Sequence, residues 1–236
     1  MAASQSPATI AVRTIESASW SQNGFAVWRL DPALNGDPSA PDAPASDPHS
    51  AILFDPGYDW DAILDELRER NLRVAAILLT HGHHDHIGGV DAIKKEFPDA
   101  PIVVGRNEAH LLTDAVANLS RRWGIDVTCA PADRLVDEGE IIEYAGLRFE
   151  VREIPGHSPG SVVYILQDHD PMLIFGGDVL FQGSVGRFDF PGGDGKRLFD
   201  GIRAKLFTLP DSAVVLPGHG PLTTIGQEKR SNPYLS

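Results

Sequence analysis

Residues 74–86 read VAAILLTHGHHDH, an apolar run that ends abruptly in four histidines and an aspartate within six positions. Val74–Leu79 has the length and composition of a buried strand. The segment behind it cannot be part of a core by itself. Protonated imidazoles this close would repel one another, and neutral ones would leave unpaired acceptors. A divalent cation resolves both conflicts, because it binds neutral imidazole nitrogen and ionised carboxylate at about 2.0–2.2 Å. The H-x-H-x-D-H spacing at His81, His83, Asp85 and His86 is therefore read as half of a metal site at a strand end.

Three further residues share that placement. His157 follows FEVREI through Pro155-Gly156, Asp178 follows MLIF through Gly176-Gly177, and His219 follows VVL through Pro217-Gly218. Each lies just past an apolar strand, after a glycine that lets backbone approach closely, where open α/β sheets place their ligands. The remaining histidines lack this context. His49 sits in a Pro/Asp-rich stretch, His110 on a helix and His169 in a polar turn, while His84 occupies the variable position of the cluster. Cys129, the lone cysteine, reads as a small buried hydrophobe.

Around these points the chain alternates strands and helices. Residues 10–15 and 25–30 predict two strands with Asn23-Gly24 as the turn between them. Residues 31–50 hold five prolines, four aspartates and no lysine or arginine, the composition of a flexible surface insertion. A strand at 51–54 ends at Asp55-Pro56-Gly57, and 59–71 has helical apolar spacing with Asp59 as its N-cap. Helices are predicted at 89–97, 106–122 and 195–208. Strands are predicted at 102–104, 147–154, 162–166, 172–175 and 214–216. The pattern is that of one α/β domain over residues 1–236.

With 33 acidic against 20 basic residues the net charge is −13, and the basic residues occur as isolated pairs. Such a surface repels phosphate backbones, which argues against nucleic acid as partner. No apolar run reaches the ~18–20 residues of a bilayer span, and the first residues do not read as a secretory signal, so a cytoplasmic location is expected and no membrane partner.

THGHHDH resembles the T-H-x-H-x-D-H signature of the metallo-β-lactamase superfamily, and GHSPGS, GGDVLF and LPGHG resemble its later motifs in order. DVLFQGSVGRFDFPGGD and LPGHGPLTTIGQEKRSNPYL look like the short bacterial glyoxalase II-like hydrolases. The resemblance implies an αββα sandwich of two mixed sheets flanked by helices. It also implies two divalent metals, zinc before iron or manganese. His81, His83 and His157 would hold one metal and Asp85, His86 and His219 the other, with Asp178 bridging them. Asp85 and Asp178 would be catalytic, and Asp55 and Thr80 would stand behind the metal ligands. Arg187 and Phe188 would face the substrate, Arg187 replacing a lysine that contacts glutathione in full-length glyoxalase II. Asp189 replaces a tyrosine, and the helical extension that clamps glutathione in those enzymes is expected to be missing.

The implied reaction is hydrolysis of a hydroxyacyl-thioester such as S-lactoylglutathione by a hydroxide shared between the metals. A thiolate leaves without a strong general acid. Lactonase or carboxylic ester hydrolase chemistry stays open, as does a mononuclear iron persulfide dioxygenase. The latter family keeps a cysteine after the bridging acid, where this chain has Gly183-Ser184-Val185-Gly186.

Overall fold

The computed structural model describes residues 9–30 and 49–235. The predicted insertion therefore falls almost wholly outside the described residues. Two six-stranded mixed sheets pack face to face. In the first, β1 (Ile10–Ser17), β2 (Gln22–Arg29) and β3 (Ser50–Phe54) run antiparallel. They continue as parallel neighbours into β4 (Arg73–Leu79), β5 (Ile102–Gly105) and β6 (Arg134–Val136). The second sheet contains β7 (Ile141–Tyr144), β8 (Leu147–Glu153), β9 (Val162–Leu166) and β10 (Leu173–Gly177) as an antiparallel meander. A small hairpin, β11 (Leu180–Phe181) and β12 (Ser184–Val185), follows before the chain returns as β13 (Val214–Pro217), parallel to β10, and β14 (Thr223–Thr224).

The two-residue period of a strand sorts its side chains between layers. In β2, Phe25 and Val27 enter the core between the sheets, while Ala26 and Trp28 face the outer helices; in β3 the same division separates Ile52 and Phe54 from Ala51 and Leu53. Phe54 stacks on Phe175 of the opposite sheet with ring centroids 3.8 Å apart. Outside the first sheet lie α1 (Trp60–Glu69), a short α2 (His84–Ile87) and α3 (Val90–Glu96), with Ile63, Leu64, Leu67 and Ile93 filling the outer core. Outside the second lie α4 (Gly195–Gly201), which loosens into a π-helical turn over Ile202–Leu206, and α5 (Ile225–Ser231). The layering is αββα, as expected.

Four sequence readings change. Asn23-Gly24 is not the hairpin turn: β2 begins at Gln22, and the turn is Ala18–Ser21, with Ser21 taking the positive φ. The pair serves tertiary contact instead. Asn23 donates its amide to the carbonyls of Pro217 (3.0 Å) and Gly220 (2.8 Å), and Gly24 lets β2 lie against the carbonyl of Asp55. Asp59 occupies the N-cap position, but its carboxylate accepts from the Ala18 N–H (2.6 Å) rather than from its own helix. The predicted helix at 106–122 is two 3-10 segments, Arg106–Thr113 and Ser120–Trp123, separated by a turn. The helix at 195–208 is α-helical only in its first half. Cys129 is buried, as expected.

A candidate metal centre at the strand ends

Strands β8, β10 and β13 point the same way, and their C-terminal ends meet those of β3 and β4 along one edge of the sandwich. At that edge hydrogen bonds tie the sheets together, among them Val162 N–H to the Thr80 carbonyl (2.8 Å) and Tyr164 O–H to the Leu79 carbonyl (3.0 Å). Into this edge the loop after β4 brings His81 and His83, and α2 brings Asp85 and His86. His157 comes from the loop after β8, Asp178 from the end of β10 and His219 from the end of β13. All seven sequence-predicted donors converge. His81, His83 and His157 form one group, His81, His86 and Asp178 a second, and Asp85, His86 and His219 a third. Within each group the donor atoms lie within 4.8 Å of one another.

The supporting hydrogen bonds decide which nitrogen each ring presents. Thr80 Oγ1 gives its one proton to Asp55 Oδ2 (2.7 Å), so it accepts from His81 Nδ1 (3.1 Å). His81 Nε2 is then a bare lone pair facing inward. His157 Nδ1 donates to the Arg187 carbonyl (2.7 Å) and His219 Nδ1 to the Ser21 carbonyl (3.0 Å), which turns their Nε2 atoms inward as well. His83 Nδ1 and His157 Nε2 approach to 2.9 Å. Asp178 Oδ1 lies 3.4 Å from His86 Nε2, and its Oδ2 lies 3.5 Å from Nε2 of both His157 and His219.

Asp55, with φ of +46°, points its carboxylate back under the loop. It accepts the Thr80 N–H at 2.8 Å and lies 3.1 Å from His86 Nδ1. Asp55 and Thr80 thus lie behind the His81 and His86 rings.

Four atoms of the cluster, His81 Nε2, both ring nitrogens of His86 and Asp178 Oδ1, are buried and have no hydrogen-bond partner. Orphaned buried polar atoms converging from several strands are costly unless a cation occupies the space between them. The spaces are also guarded against methyl groups. A Cβ at Gly218 would lie 2.3 Å from Asp178 Oδ1 and 2.6 Å from His86 Cε1, and one at Gly177 would lie 2.1 Å from Thr80 Oγ1. The donor set fits divalent metal.

Electrostatics divide the cluster. Burial, reinforced by neighbouring imidazoles, holds His81 and His83 well below the usual histidine range, and burial lowers His157 too. Burial also opposes charge on His86, but Asp178, Asp85 and Asp55 overrule it and raise His86 well above that range; His219 is raised in the same way by Asp178 and Asp85. Burial opposes ionisation of Asp85, yet His86 and His219 bring it down to about 2, and His219 and His86 hold Asp178 far below the carboxylate range.

In metal-free protein the surrounding carboxylates favour the protonated forms of His86 and His219, whereas burial favours the neutral forms of His81, His83 and His157. Metal entering the Asp85–His86–His219 group competes with more tightly held protons, so its apparent affinity falls the more as pH drops. The expected result is that dialysis from about pH 7.5 to about pH 5.5 strips this group before the His81–His83–His157 group. Metal analysis against pH checks it, and loss of both metals together would contradict it.

The cluster borders a cavity of about 360 Å³ whose apolar lining includes Trp20, Leu119, Trp123, Phe181, Val185 and Phe190. Trp20 is carried in by the β1–β2 turn and packs edge-on to Trp123 (5.5 Å between centroids) and His84 (4.5 Å). His84 turns from the cluster to pair with the Tyr58 hydroxyl at 2.9 Å. Arg187 reaches the cavity, with its guanidinium paired to Asp189 and lying 4.3 Å over Phe190. Phe188 does not line the cavity: it packs edge-on to Phe199 on the outer side, and Phe190, two residues on, takes the inner position. Sequence reading missed Trp20, Trp123, Phe190 and a buried acid, Glu108. A lone tryptophan in a turn carries no periodic signal.

Comparison with known proteins agrees with this geometry. The metallo-beta-lactamase superfamily profile matches residues 46–219. The hydroxyacylglutathione hydrolase GloC of Haemophilus influenzae is 40% identical over 193 residues, 80% of this chain and 89% of its own. Among solved structures, BLEG-1, described as a B3 metallo-beta-lactamase, superposes with a TM-score of 0.84 at 38% identity, covering 96% of this chain and all of its own. A protein described as TTHA1623 in a di-iron-bound form gives 0.76 at 32%, covering 94% and all of its own.

Proposed function

The chain belongs to the metallo-beta-lactamase superfamily and is a metal-dependent hydrolase; from that premise we propose that it hydrolyses a hydroxyacyl-thioester of the S-lactoylglutathione type. The reading is carried by what the cavity wall lacks. Among the described lining residues, the ionisable side chains outside the seven donors are His84 and Arg187. Burial lowers the His84 pKa, so the ring is neutral near pH 7, and Arg187 does not give up its proton. No protonated acid therefore faces a departing group, which suits a thiolate and disfavours an alkoxide.

His81, His83 and His157 would hold one divalent ion and Asp85, His86 and His219 a second, with Asp178 between them. When bound, the pair supplies a water acidified to a pKa of about 7 and a Lewis acid for the scissile carbonyl. The chain's own residues do the rest. Asp85, ionised and partly open to the cavity, accepts a hydrogen bond from the attacking water and so orients it. Asp178, anchored between three imidazoles, fixes the distance between the two halves of the cluster. Trp20, Trp123 and Phe190 shield the reacting carbonyl from bulk water. Nitrogen and oxygen donors without sulfur admit zinc, iron or manganese; zinc is the proposed occupant. The small-molecule thioester is the proposed partner and the cytoplasm the proposed location. Within the described residues no helix is long and apolar enough to cross a membrane.

The test pairs metal analysis with turnover of S-lactoylglutathione, its oxygen-ester analogue and a chromogenic cephalosporin. About two metals per chain are expected, with kcat/KM for the thioester at least about 10²-fold above the oxygen ester, the usual worth of a missing general acid. Equal rates on ester and thioester would overturn the thioester assignment. Preferential β-lactam cleavage would favour the second reading suggested by the likeness to BLEG-1.

A further inference from the structure

Glu108 is fully buried, carries no role in the mechanism above, and hydrogen-bonds both loops that carry the first metal group. Its Oε2 accepts the Gly82 N–H at 2.9 Å, and its Oε1 accepts both the Ser158 hydroxyl (2.7 Å) and the Gly160 N–H (2.6 Å). Gly82 stands between His81 and His83, on the loop from the first sheet. Ser158 directly follows His157, on the loop from the second. One carboxylate thus holds two loops that belong to different sheets.

Packing brings those loops onto the same short segment, Arg106–Thr113. A Cβ at Gly82 would lie 2.5 Å from Leu111 Cβ, and one at Gly160 would lie 2.4 Å from Asn107 Cβ. Both glycines are therefore pressed flush against the 3-10 turn that carries Glu108. Burying a carboxylate with no cation beside it is expensive, and such a group persists where its hydrogen bonds hold something in place. Here three donors and two acceptor oxygens match, and the apposed residues across the join are His83 and His157, 2.9 Å apart at their ring nitrogens.

We propose that Glu108 is a positioning residue that sets the separation between the His81–His83 loop and the His157 loop, and so the geometry of the first metal group. The proposal rests on reading the cluster as a metal centre. Its test is cobalt(II) titration of the full chain, following the visible absorption bands, for the wild type, Glu108→Gln and Ser158→Ala. A glutamine offers one acceptor oxygen in place of two. Its amide nitrogen must then face either the Gly82 or the Gly160 N–H, donor against donor.

Glu108→Gln should bind cobalt about 10- to 100-fold more weakly, the usual cost of losing support behind a ligand, with shifted bands from altered coordination. Ser158→Ala, which leaves Glu108 two donors, should change both readouts in the same direction by less. If Glu108→Gln fails to fold, the Ser158→Ala shift alone decides. Wild-type affinity and bands in the variants, whatever happens to their melting temperature, would reduce Glu108 to a loop staple and overturn the proposal. Failure of the wild type itself to bind cobalt would instead sink the metal-centre reading.

Discussion

Asp178→Asn is expected to cost about 10³-fold or more in kcat and to leave the purified protein with fewer than two metals per chain. Asp178 is the carboxylate within 3.5 Å of imidazoles from both sheets, His86 on one side and His157 and His219 on the other. Asparagine preserves the volume but removes the charge that balances these rings. It also replaces an acceptor by an N–H₂ that no metal can take as ligand. Loss of one Lewis acid forfeits several kcal/mol of transition-state stabilisation, which sets the scale of the rate effect. Steady-state kinetics and metal analysis of the same preparation check it, with circular dichroism to confirm the fold. A variant retaining two metals and more than about a tenth of wild-type turnover would remove Asp178 from the centre.

The second large effect is expected at Asp55, which touches no substrate. Asp55→Asn should weaken metal binding by about 10- to 100-fold, with the Asp85–His86–His219 group losing its metal first. The carboxylate uses both oxygens on Thr80 and also faces His86 Nδ1. An amide cannot reproduce this. Turned one way, its nitrogen opposes the Thr80 N–H. Turned the other, it donates to Thr80 Oγ1, whose proton is then free to turn to His81 Nδ1 and force the ring into the other tautomer. The backbone is not the cause, because Asn tolerates the positive φ at this position at least as well as Asp. Competition with a chromogenic chelator measures the affinity. Unchanged affinity would mean that Asp55 merely closes its turn.

The convergence of the seven cluster residues was legible in the sequence because each carries a local mark: clustered imidazoles, or a lone His or Asp set after an apolar strand and a glycine. The two-sheet layering became legible through the resemblance those marks carry. What escaped is support from across the chain. Glu108 sits in a stretch whose helical pattern suggests a solvated acid, and nothing nearby in sequence shows that two loops will bury it. Asn23-Gly24 has the strongest short-range turn signature in its region, yet tertiary hydrogen bonds to the loop after β13 override it. Phe188 and Phe190 are equivalent in sequence; the backbone direction after β12 alone decides which one enters the cavity. The short strands β6, β7 and β14 were missed for want of length, since two to four residues give too little alternation to read.

The hydrogen bond from His219 to the Ser21 carbonyl joins residues 198 positions apart, and the Asn23 contacts to the same loop span almost as far. Contacts of such sequence separation are slow to form, because loop closure must precede any gain from them. During synthesis the His81–His86 ligands emerge long before His219 exists. Until then the nascent chain can offer a metal only a partial set. The complete centre is thus a late event in biogenesis, and a chain stalled or cleaved before β13 has its first histidine cluster but no means of finishing it.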